Sequence, residues 1–154
     1  MKYFKTLIAS LILMTGYAHA DDIKVVFDLT TGDAKRIENR IIGNIKYLST
    51  HYAKENSNLK SVVVISGKAY KYFVQDLANS PYKEDKNLAE VQKKIQPLLQ
   101  ELVDKYQVRF DMCGAGMKAR NIEAKSVYSF VHTDKMKYVY LIDWQNKGYA
   151  YIPI

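Results

Sequence analysis

Short apolar segments alternate with segments of helical periodicity along most of this chain, and this alternation constrains the fold more than any single motif. Three segments have the length and composition of buried strands: IKVVFDL (Ile23 to Leu29), SVVVISG (Ser61 to Gly67) and QVRFDM (Gln107 to Met112). The second is almost entirely apolar, as expected for a strand covered on both faces. Strands that alternate with helices predict an α/β fold with a mainly parallel sheet and helices on both faces.

The segments between these strands carry apolar residues at helical spacing. Behind Asp33, a candidate helix cap, one apolar stripe consists of Ile37, Ile41, Ile45, Leu48 and Tyr52. A longer stripe consists of Leu88, Val91, Ile95, Leu98, Leu102 and Tyr106. Pro97 lies within the longer stripe, so we expect a kink or two abutting helices there. A short helix is also predicted from Lys68 to Leu77.

The C-terminal part of the chain is harder to assign. SVYSFV (Ser126 to Val131) predicts a fourth strand, and GYAYIPI at the C-terminus predicts a closing strand. Between them, KYVYLIDW (Lys137 to Trp144) has strand propensity, whereas capping and glycine signals favour a helix over residues 134–147. The local pattern leaves both assignments open.

The first twenty residues have the organisation of a secretory leader. Two lysines precede the apolar run from Leu7 to Met14, and Ala18-His19-Ala20 forms a small-residue cleavage site. We expect residues 1–20 to be a signal peptide and residues 21–154 to be one periplasmic or secreted domain. No membrane span is expected, because no segment has the roughly 18 consecutive apolar residues that a spanning helix needs.

The formal net charge of the chain is +7. On an exported protein, a charge of this size is more consistent with solubility, or with a weak preference for acidic partners, than with nucleic-acid binding. Nucleic acid is therefore not an expected partner.

Cys113 is the only cysteine of the chain, so it forms no internal disulfide. Such a cysteine is either a small packed hydrophobe or a functional thiol. Cys113 lies where the third predicted strand ends and a helix-like segment begins. Unpaired backbone N–H groups and the helix dipole at such a position lower the thiol pKa. This position favours the functional interpretation, a nucleophile toward a disulfide or a sulfane sulfur.

Other predicted loops are expected at the same edge of the sheet. Gly114 and the small residues after it would keep the sulfur accessible, and Gly67 and Lys68 follow the second strand. Lys68 could favour the thiolate, and His132 after the fourth strand could carry a proton or bind a metal. A solvated lysine and a polar loop histidine are the simpler alternatives. The turn TTGD after the first strand resembles a phosphate-binding turn only weakly.

Other chemistries receive little support. Met112, Cys113, Met117 and His132 are soft ligands that suit monovalent copper, but their spacing matches no strong metal signature. The chain has no Gly-x-Ser-x-Gly elbow and no Gly-x-Gly-x-x-Gly after a strand. We therefore expect no serine triad, no metal centre and no cofactor.

Four segments together resemble the DsrE/DsrF-like family. QVRFDMCGAGMKARNI resembles the cysteine segment of that family, and VVVISGKAYKYF resembles its second strand and glycine turn. YLIDWQNKGYAYIPI is similar to its closing helix and final strand, and KVVFDLTTGD to the opening strand of an exported branch. The resemblance covers residues 23–153.

The resemblance implies a three-layer α/β sandwich with a five-stranded, mainly parallel sheet. It favours a helix over residues 134–147, and it implies a homo-oligomer, often a trimer or hexamer. It also implies sulfur relay, in which the cysteine aligned with Cys113 holds a persulfide and passes it to a partner. Asn121 stands where many members have glycine, and export would separate this chain from the usual cytoplasmic partners.

The resulting hypothesis is an exported carrier of sulfane sulfur, or a thiol-redox protein, that acts through Cys113 and is not primarily a turnover enzyme. Gly114 would help to stabilise the thiolate or persulfide, with Gly67, Lys68 and His132 in support. The expected partners are sulfur donor and acceptor proteins or small sulfur species.

Two alternatives remain open. One is a small-ligand or metal-binding module that uses Cys113 with Met117 or His132. The other is an oligomeric interaction protein in which the cysteine is only packed, and in which the eleven tyrosines of residues 21–154 supply contact surface.

Overall fold

The computed structural model describes residues 22–154 and shows a five-stranded sheet of strand order β4-β3-β2-β1-β5. The strands are β1 (Asp22–Leu29), β2 (Asn58–Ile65), β3 (Arg109–Met112), β4 (Val131–His132) and β5 (Ala150–Pro153). All four pairings are parallel, which confirms the predicted sheet. The predicted signal peptide, residues 1–20, lies outside the described residues.

Five α-helices connect these strands. They are α1 (Ala34–Ile37), α2 (Asn44–Lys54), α3 (Leu88–Tyr106), α4 (Gly114–Lys118) and α5 (Lys137–Asn146). A π-helical stretch, Glu38–Gly43, joins α1 to α2, and two 3-10 turns follow at Ala69–Tyr72 and Ala124–Ser126. The Asp33 side chain accepts the N–H of Lys35 at 2.9 Å and caps α1 as its residue type predicts. None of the helices within residues 22–154 has the length and apolar character needed to cross a membrane.

The two faces of the sheet bury separate apolar clusters, because successive strand residues point to opposite faces. Phe27 and Leu29 of β1 belong to the larger cluster, with apolar residues of α1, α2 and α3. Val26 lies in the smaller cluster with Tyr140 and Leu141 of α5. Helices on both faces confirm the predicted three-layer sandwich.

The segment Ser126–Val131 is mostly not a strand, contrary to the sequence-based expectation. Its backbone bonds to the chain that follows β2: Tyr128 donates to the Phe73 carbonyl at 3.1 Å, and Gln75 donates to the Ser126 carbonyl at 2.8 Å. These contacts leave only Val131–His132 to pair with β3. They also limit the helix expected from Lys68 to Leu77 to the single turn Ala69–Tyr72.

Two further helix assignments are settled by the structure. Residues 137–146 form α5, as the family resemblance implies, and not a strand. The helix α3 runs unbroken past Pro97, so the alternative of two abutting helices is wrong. It ends at Gln107, which has a φ of 53° and so turns the chain into β3.

Candidate functional site

Cys113 lies directly after β3 and occupies the N-cap position of α4, at the carboxyl edge of the sheet, where its side chain makes no capping hydrogen bond. Its backbone N–H donates to the carbonyl oxygen of Ile65, at the end of β2, at 3.0 Å. The residue is only 8% exposed. Cys113 therefore lies at the strand end that the sequence pattern indicates, but its side chain is buried and not displayed on an open loop.

The glycines around Cys113 permit close packing. A Cβ atom at Gly114 would lie 2.5 Å from the carbonyl oxygen of Thr133, and one at Gly116 would lie 2.0 Å from the hydroxyl of Tyr70. The N–H of Gly114 also donates to the carbonyl of Lys135 at 2.9 Å. The space that the sequence pattern assigns to an open approach is thus filled by Tyr70 and by the 133–135 segment.

Tyr70 holds the turn at Cys113 from the opposite side. Its hydroxyl donates to the Cys113 carbonyl oxygen at 2.9 Å, and its side chain is almost fully buried. The guanidinium carbon of Arg120 lies 4.8 Å from the ring centroid. Burial and the neighbouring cysteine raise the pKa of Tyr70 far above its ordinary value, so its hydroxyl stays a hydrogen-bond donor at neutral pH.

Opposing effects set the pKa of the Cys113 thiol. Burial raises it, because the charged thiolate loses hydration. The backbone N–H groups of Gly116, Lys137 and Ala115, together with the Tyr70 hydroxyl, lower it by more, so the pKa lies below its ordinary value. Gly116 and Ala115 belong to α4, whereas Lys137 is the first residue of α5. The sulfur therefore lies beside the starts of two helices.

The start of α5 has no side-chain cap. Met136 occupies the cap position and its side chain makes no capping hydrogen bond. The N–H of Lys137 is one of the four N–H groups that a helix start leaves without an intrahelical partner. A thiolate at Cys113 would place negative charge where a capping oxygen usually lies, which is favourable for both groups.

A buried carboxylate holds the side chain of Lys137. The Asp28 Oδ2 atom accepts from Lys137 Nζ at 2.9 Å and from the Tyr151 hydroxyl at 2.9 Å. Asp28 is 6% exposed, and its Oδ1 has no hydrogen-bond partner among the described residues. Sequence reasoning assigned no role to this group, although one signal was available: Asp28 is the only acid in the run IKVVFDL, whose one other charged residue is Lys24.

A second buried carboxylate, Asp111, attaches α5 to β3. Its Oδ1 accepts from Arg109 Nε at 2.8 Å, and its Oδ2 accepts from Trp144 Nε1 at 2.7 Å. Burial raises the pKa of Asp111 despite these donors. His132 is exposed on β4, in register with Asp111, whereas the groups that set the pKa of Cys113 come from Tyr70, α4 and α5.

Gly67 and Lys68 belong to a neighbouring cleft of about 590 Å³. It is lined by Thr30, Thr31, Gly32, Asp33, Gly67, Lys68, Lys71, Tyr82 and Arg120. Cys113 is not part of this lining; Tyr70 lies between the two places, with its hydroxyl on the Cys113 carbonyl and its ring against the cleft residue Arg120. The predicted site residues therefore form two groups on one edge of the sheet, with Gly67 and Lys68 in the cleft.

Of the residues named for a metal site, Met112, Cys113 and Met117 belong to the larger apolar cluster, whereas His132 is exposed on β4. Within residues 22–154, no group of three or more His, Cys, Asp and Glu side chains is placed to hold a metal ion. Met117 is 3% exposed and packs in the larger apolar cluster. The Met117 side chain is therefore part of the apolar core.

The fold and the site define a class of small, parallel α/β proteins with a buried, acidified thiol at the carboxyl edge of the sheet. The sequence profile of the DsrE/DsrF-like family matches residues 24–154, and the chain belongs to this family. This match confirms the resemblance carried by the four sequence segments.

Two known proteins show the extent of the similarity. An uncharacterized protein of Aquifex aeolicus (strain VF5) is 30% identical over 152 residues, which cover 99% of this chain and 63% of that protein. The solved structure of a protein of unknown function from Methanobacterium thermoautotrophicum has a TM-score of 0.66 at 19% identity. The match covers 86% of this chain and all of that one, and it shows the same fold.

Proposed function

We propose that this protein carries sulfane sulfur as a persulfide on Cys113, between a donor and an acceptor. Membership of the DsrE/DsrF-like family suggests a function of the sulfur-relay type. The observation that carries the proposal for this chain is the position of the Cys113 sulfur beside two helix starts and the Tyr70 hydroxyl, where its pKa is lowered. A thiolate is the nucleophilic form of cysteine, so this placement favours attack on sulfur.

The transfer needs no external oxidant when the donor is a persulfide. The Cys113 thiolate attacks the outer sulfur of the donor, and a new S–S bond forms while the S–S bond of the donor breaks. The electron pair of the broken bond leaves on the donor thiolate, which takes up a proton. In the second step, an acceptor thiolate attacks the outer sulfur on Cys113 and restores the starting thiolate.

The N–H groups that stabilise the thiolate would also stabilise a persulfide anion on the same residue. Burial would protect that persulfide from water and from unrelated thiols. Since Cys113 is 8% exposed, transfer would require either a small donor or displacement of the 133–135 segment that packs on Gly114. The proposal therefore includes a slow step, in which the sulfur becomes accessible, and a fast step, in which the S–S bonds exchange.

The same burial supports a second candidate function. In that alternative, Cys113 is a packed residue and the protein acts through its surface as an interaction partner. The two candidates differ in the reactivity of the thiol in the folded state, so one experiment separates them.

Export and self-association complete the proposal. The signal-peptide pattern of residues 1–20 supports a periplasmic or secreted location. Exposed apolar side chains on α5 and β5 support a homo-oligomer; they are Met136, Tyr138, Val139, Ile142 and Tyr151. Because α5 begins beside Cys113, a neighbouring subunit on this surface would lie close to the thiol.

The test is the reactivity of Cys113 in the folded protein. Alkylation followed across about pH 5 to 10 is expected to titrate below about 8.5, the value of a free cysteine. After incubation with polysulfide, mass spectrometry is expected to show mass gained in steps of about 32 Da, one sulfur at a time. Cys113→Ser is the matched control and should gain nothing.

The contrary result is equally clear. If folded protein neither alkylates nor gains sulfur, while protein unfolded in urea does both, the thiol is packed and inert. The persulfide proposal then fails, and the interaction protein becomes the better account.

A further inference from the structure

The cleft beside Cys113 contains three cations on a small surface. Lys68, Lys71 and Arg120 line it, and Asp33 is the only acid among its lining residues. Its volume of about 590 Å³ is in the range of sites that bind small molecules. The cleft lies at the carboxyl ends of β1 and β2, where ligands of parallel α/β proteins usually bind.

Two of these cations are not neutralised within the protein. Lys71 pairs with Asp85 at 3.1 Å, and the Asp33 carboxylate is engaged by the backbone N–H of Lys35 at 2.9 Å. Among residues 22–154, neither Lys68 nor Arg120 forms an ion pair with a carboxylate. The cleft therefore has a net positive charge with no counterpart in the described chain.

The Arg120 side chain is held in place by two contacts. Arg120 Nη1 donates to the Gly116 carbonyl at 3.0 Å, and the guanidinium lies over the Tyr70 ring. A guanidinium has five N–H donors, so most of them remain for a ligand. Tyr82 adds a hydroxyl; burial raises its pKa, which keeps it a donor at neutral pH, although Arg120 and Lys71 act in the opposite direction.

The cleft floor is formed by two loops bonded to each other. The N–H of Lys68 donates to the Thr30 carbonyl at 2.9 Å. A Cβ atom at Gly67, whose φ is +63°, would lie 2.8 Å from that same carbonyl oxygen, and one at Gly32 would lie 2.8 Å from Lys68 Cβ. Glycine is therefore needed at both positions for the loops to meet. Because these two loops are already held together, less conformational entropy would be lost when a ligand binds.

We infer that this cleft binds the oxyanion group of a small molecule, with Arg120 and Lys68 as its cationic contacts. The guanidinium presents paired N–H donors that match carboxylate and phosphate oxygens, and Lys68 adds a mobile positive charge. An organic carboxylate and a phosphate share this chemistry, and direct titration distinguishes them. The inference goes beyond the persulfide proposal and does not depend on it, because Cys113 does not line the cleft.

The test is titration of the purified protein with inorganic phosphate and, separately, with succinate, at low ionic strength in a chloride buffer. Isothermal calorimetry is expected to show saturable binding of at least one probe. Lys68→Gln and Arg120→Gln should each weaken that binding about tenfold, the loss expected for one charge-assisted contact. Added salt should weaken it further, because the contacts are electrostatic.

Lys118→Gln is the matched control, since Lys118 is an exposed lysine two residues before Arg120 that does not line the cleft. Binding by this variant and by Cys113→Ser should equal that of the wild type. The inference is wrong if neither probe binds the wild type, or if Lys118→Gln weakens binding as much as Lys68→Gln. Thermal melting of each variant shows that lost binding is not lost folding.

Discussion

At Cys113, burial and hydrogen bonding have opposite effects on one sulfur atom. Burial raises the thiol pKa, and N–H groups from α4 and α5, with the Tyr70 hydroxyl, lower it. The Tyr70 hydroxyl also satisfies the Cys113 carbonyl oxygen at 2.9 Å. The hydroxyl has a single proton, so its contribution to the stability of this turn and its contribution to the thiolate compete for the same hydrogen.

Tyr70→Phe separates these contributions. The variant should lower the free energy of unfolding by about 0.5–1.5 kcal/mol, because the Cys113 carbonyl loses one of its two hydrogen bonds and keeps the one from the Met117 N–H. It should also raise the pKa of Cys113, because one group that favours the thiolate is gone. Urea unfolding measures the first effect, and the pH dependence of alkylation measures the second.

Tyr72→Phe provides the matched control. Tyr72 donates to the Gly32 carbonyl at 2.6 Å, so its loss should also cost stability, whereas the pKa of Cys113 should stay the same. Equal alkylation profiles for wild type and Tyr70→Phe would show that the Tyr70 hydroxyl does not act on the sulfur.

Among the secondary-structure elements, α5 provides several of the groups that form the site. Its first N–H lies near the Cys113 sulfur, Lys137 pairs with the buried Asp28, and Trp144 donates to the buried Asp111. The Tyr140 hydroxyl donates to Asp134 at 2.5 Å and ties the helix to the segment before it. These polar contacts, in addition to the packing of the apolar face of α5, fix the start of the helix beside the thiol.

The raised pKa of Asp111 predicts a specific pH dependence of stability. Between the unfolded-state pKa of about 3.9 and the higher folded-state pKa, the folded protein binds more protons than the unfolded chain. Unfolding free energy should therefore fall as pH rises through this window. Asp111→Asn should remove this component, as urea unfolding at a series of acidic pH values would show.

Asp104→Asn, which removes an exposed carboxylate on α3, controls for the loss of one charge. The interpretation of Asp111 would be refuted if both variants changed the pH dependence equally. It would also be refuted if stability rose with pH in the wild type relative to Asp111→Asn.

In the molecule as a whole, the Cys113 thiol lies close both to the basic cleft and to an exposed apolar surface. The thiol and the basic cleft share one edge of the sheet, and Tyr70 lies between Cys113 and the cleft residue Arg120. The outer side of α5 exposes Tyr138, Val139 and Ile142, the last at 57%. An interface on this side would lie close to Cys113, because α5 begins beside the thiol.

Ile142→Glu tests the proposed homo-oligomer. A charge in an apolar interface is costly, so the variant should shift the protein to a smaller assembly in size-exclusion chromatography with light scattering. Tyr47→Glu is the control, because Tyr47 on α2 is a large side chain that is even more exposed than Ile142, at 67%. A wild-type protein that is monomeric at micromolar concentration would contradict the proposal.

Local patterns in the chain were sufficient for most of the fold. The three apolar strands, the α3 stripe and the position of Cys113 after β3 depend on periodicity and turn signals within a few residues. The assignment of α5 needed the family resemblance, because KYVYLIDW has the propensity of a strand. Gly114 could be placed next to the thiol from the sequence, but its role in close packing against Thr133 could not.

The environment of the sulfur depends on contacts between residues far apart in the chain. Tyr70 reaches Cys113 across 43 positions, and Lys137 reaches Asp28 from a different layer of the sandwich. Ser126–Val131 likewise leaves the sheet because its backbone bonds to the chain after β2. Local periodicity determines which segments become strands and helices. Which of these elements come into contact depends on the free energy of long-range packing and hydrogen bonding. The site is therefore formed by tertiary contacts that local periodicity does not specify.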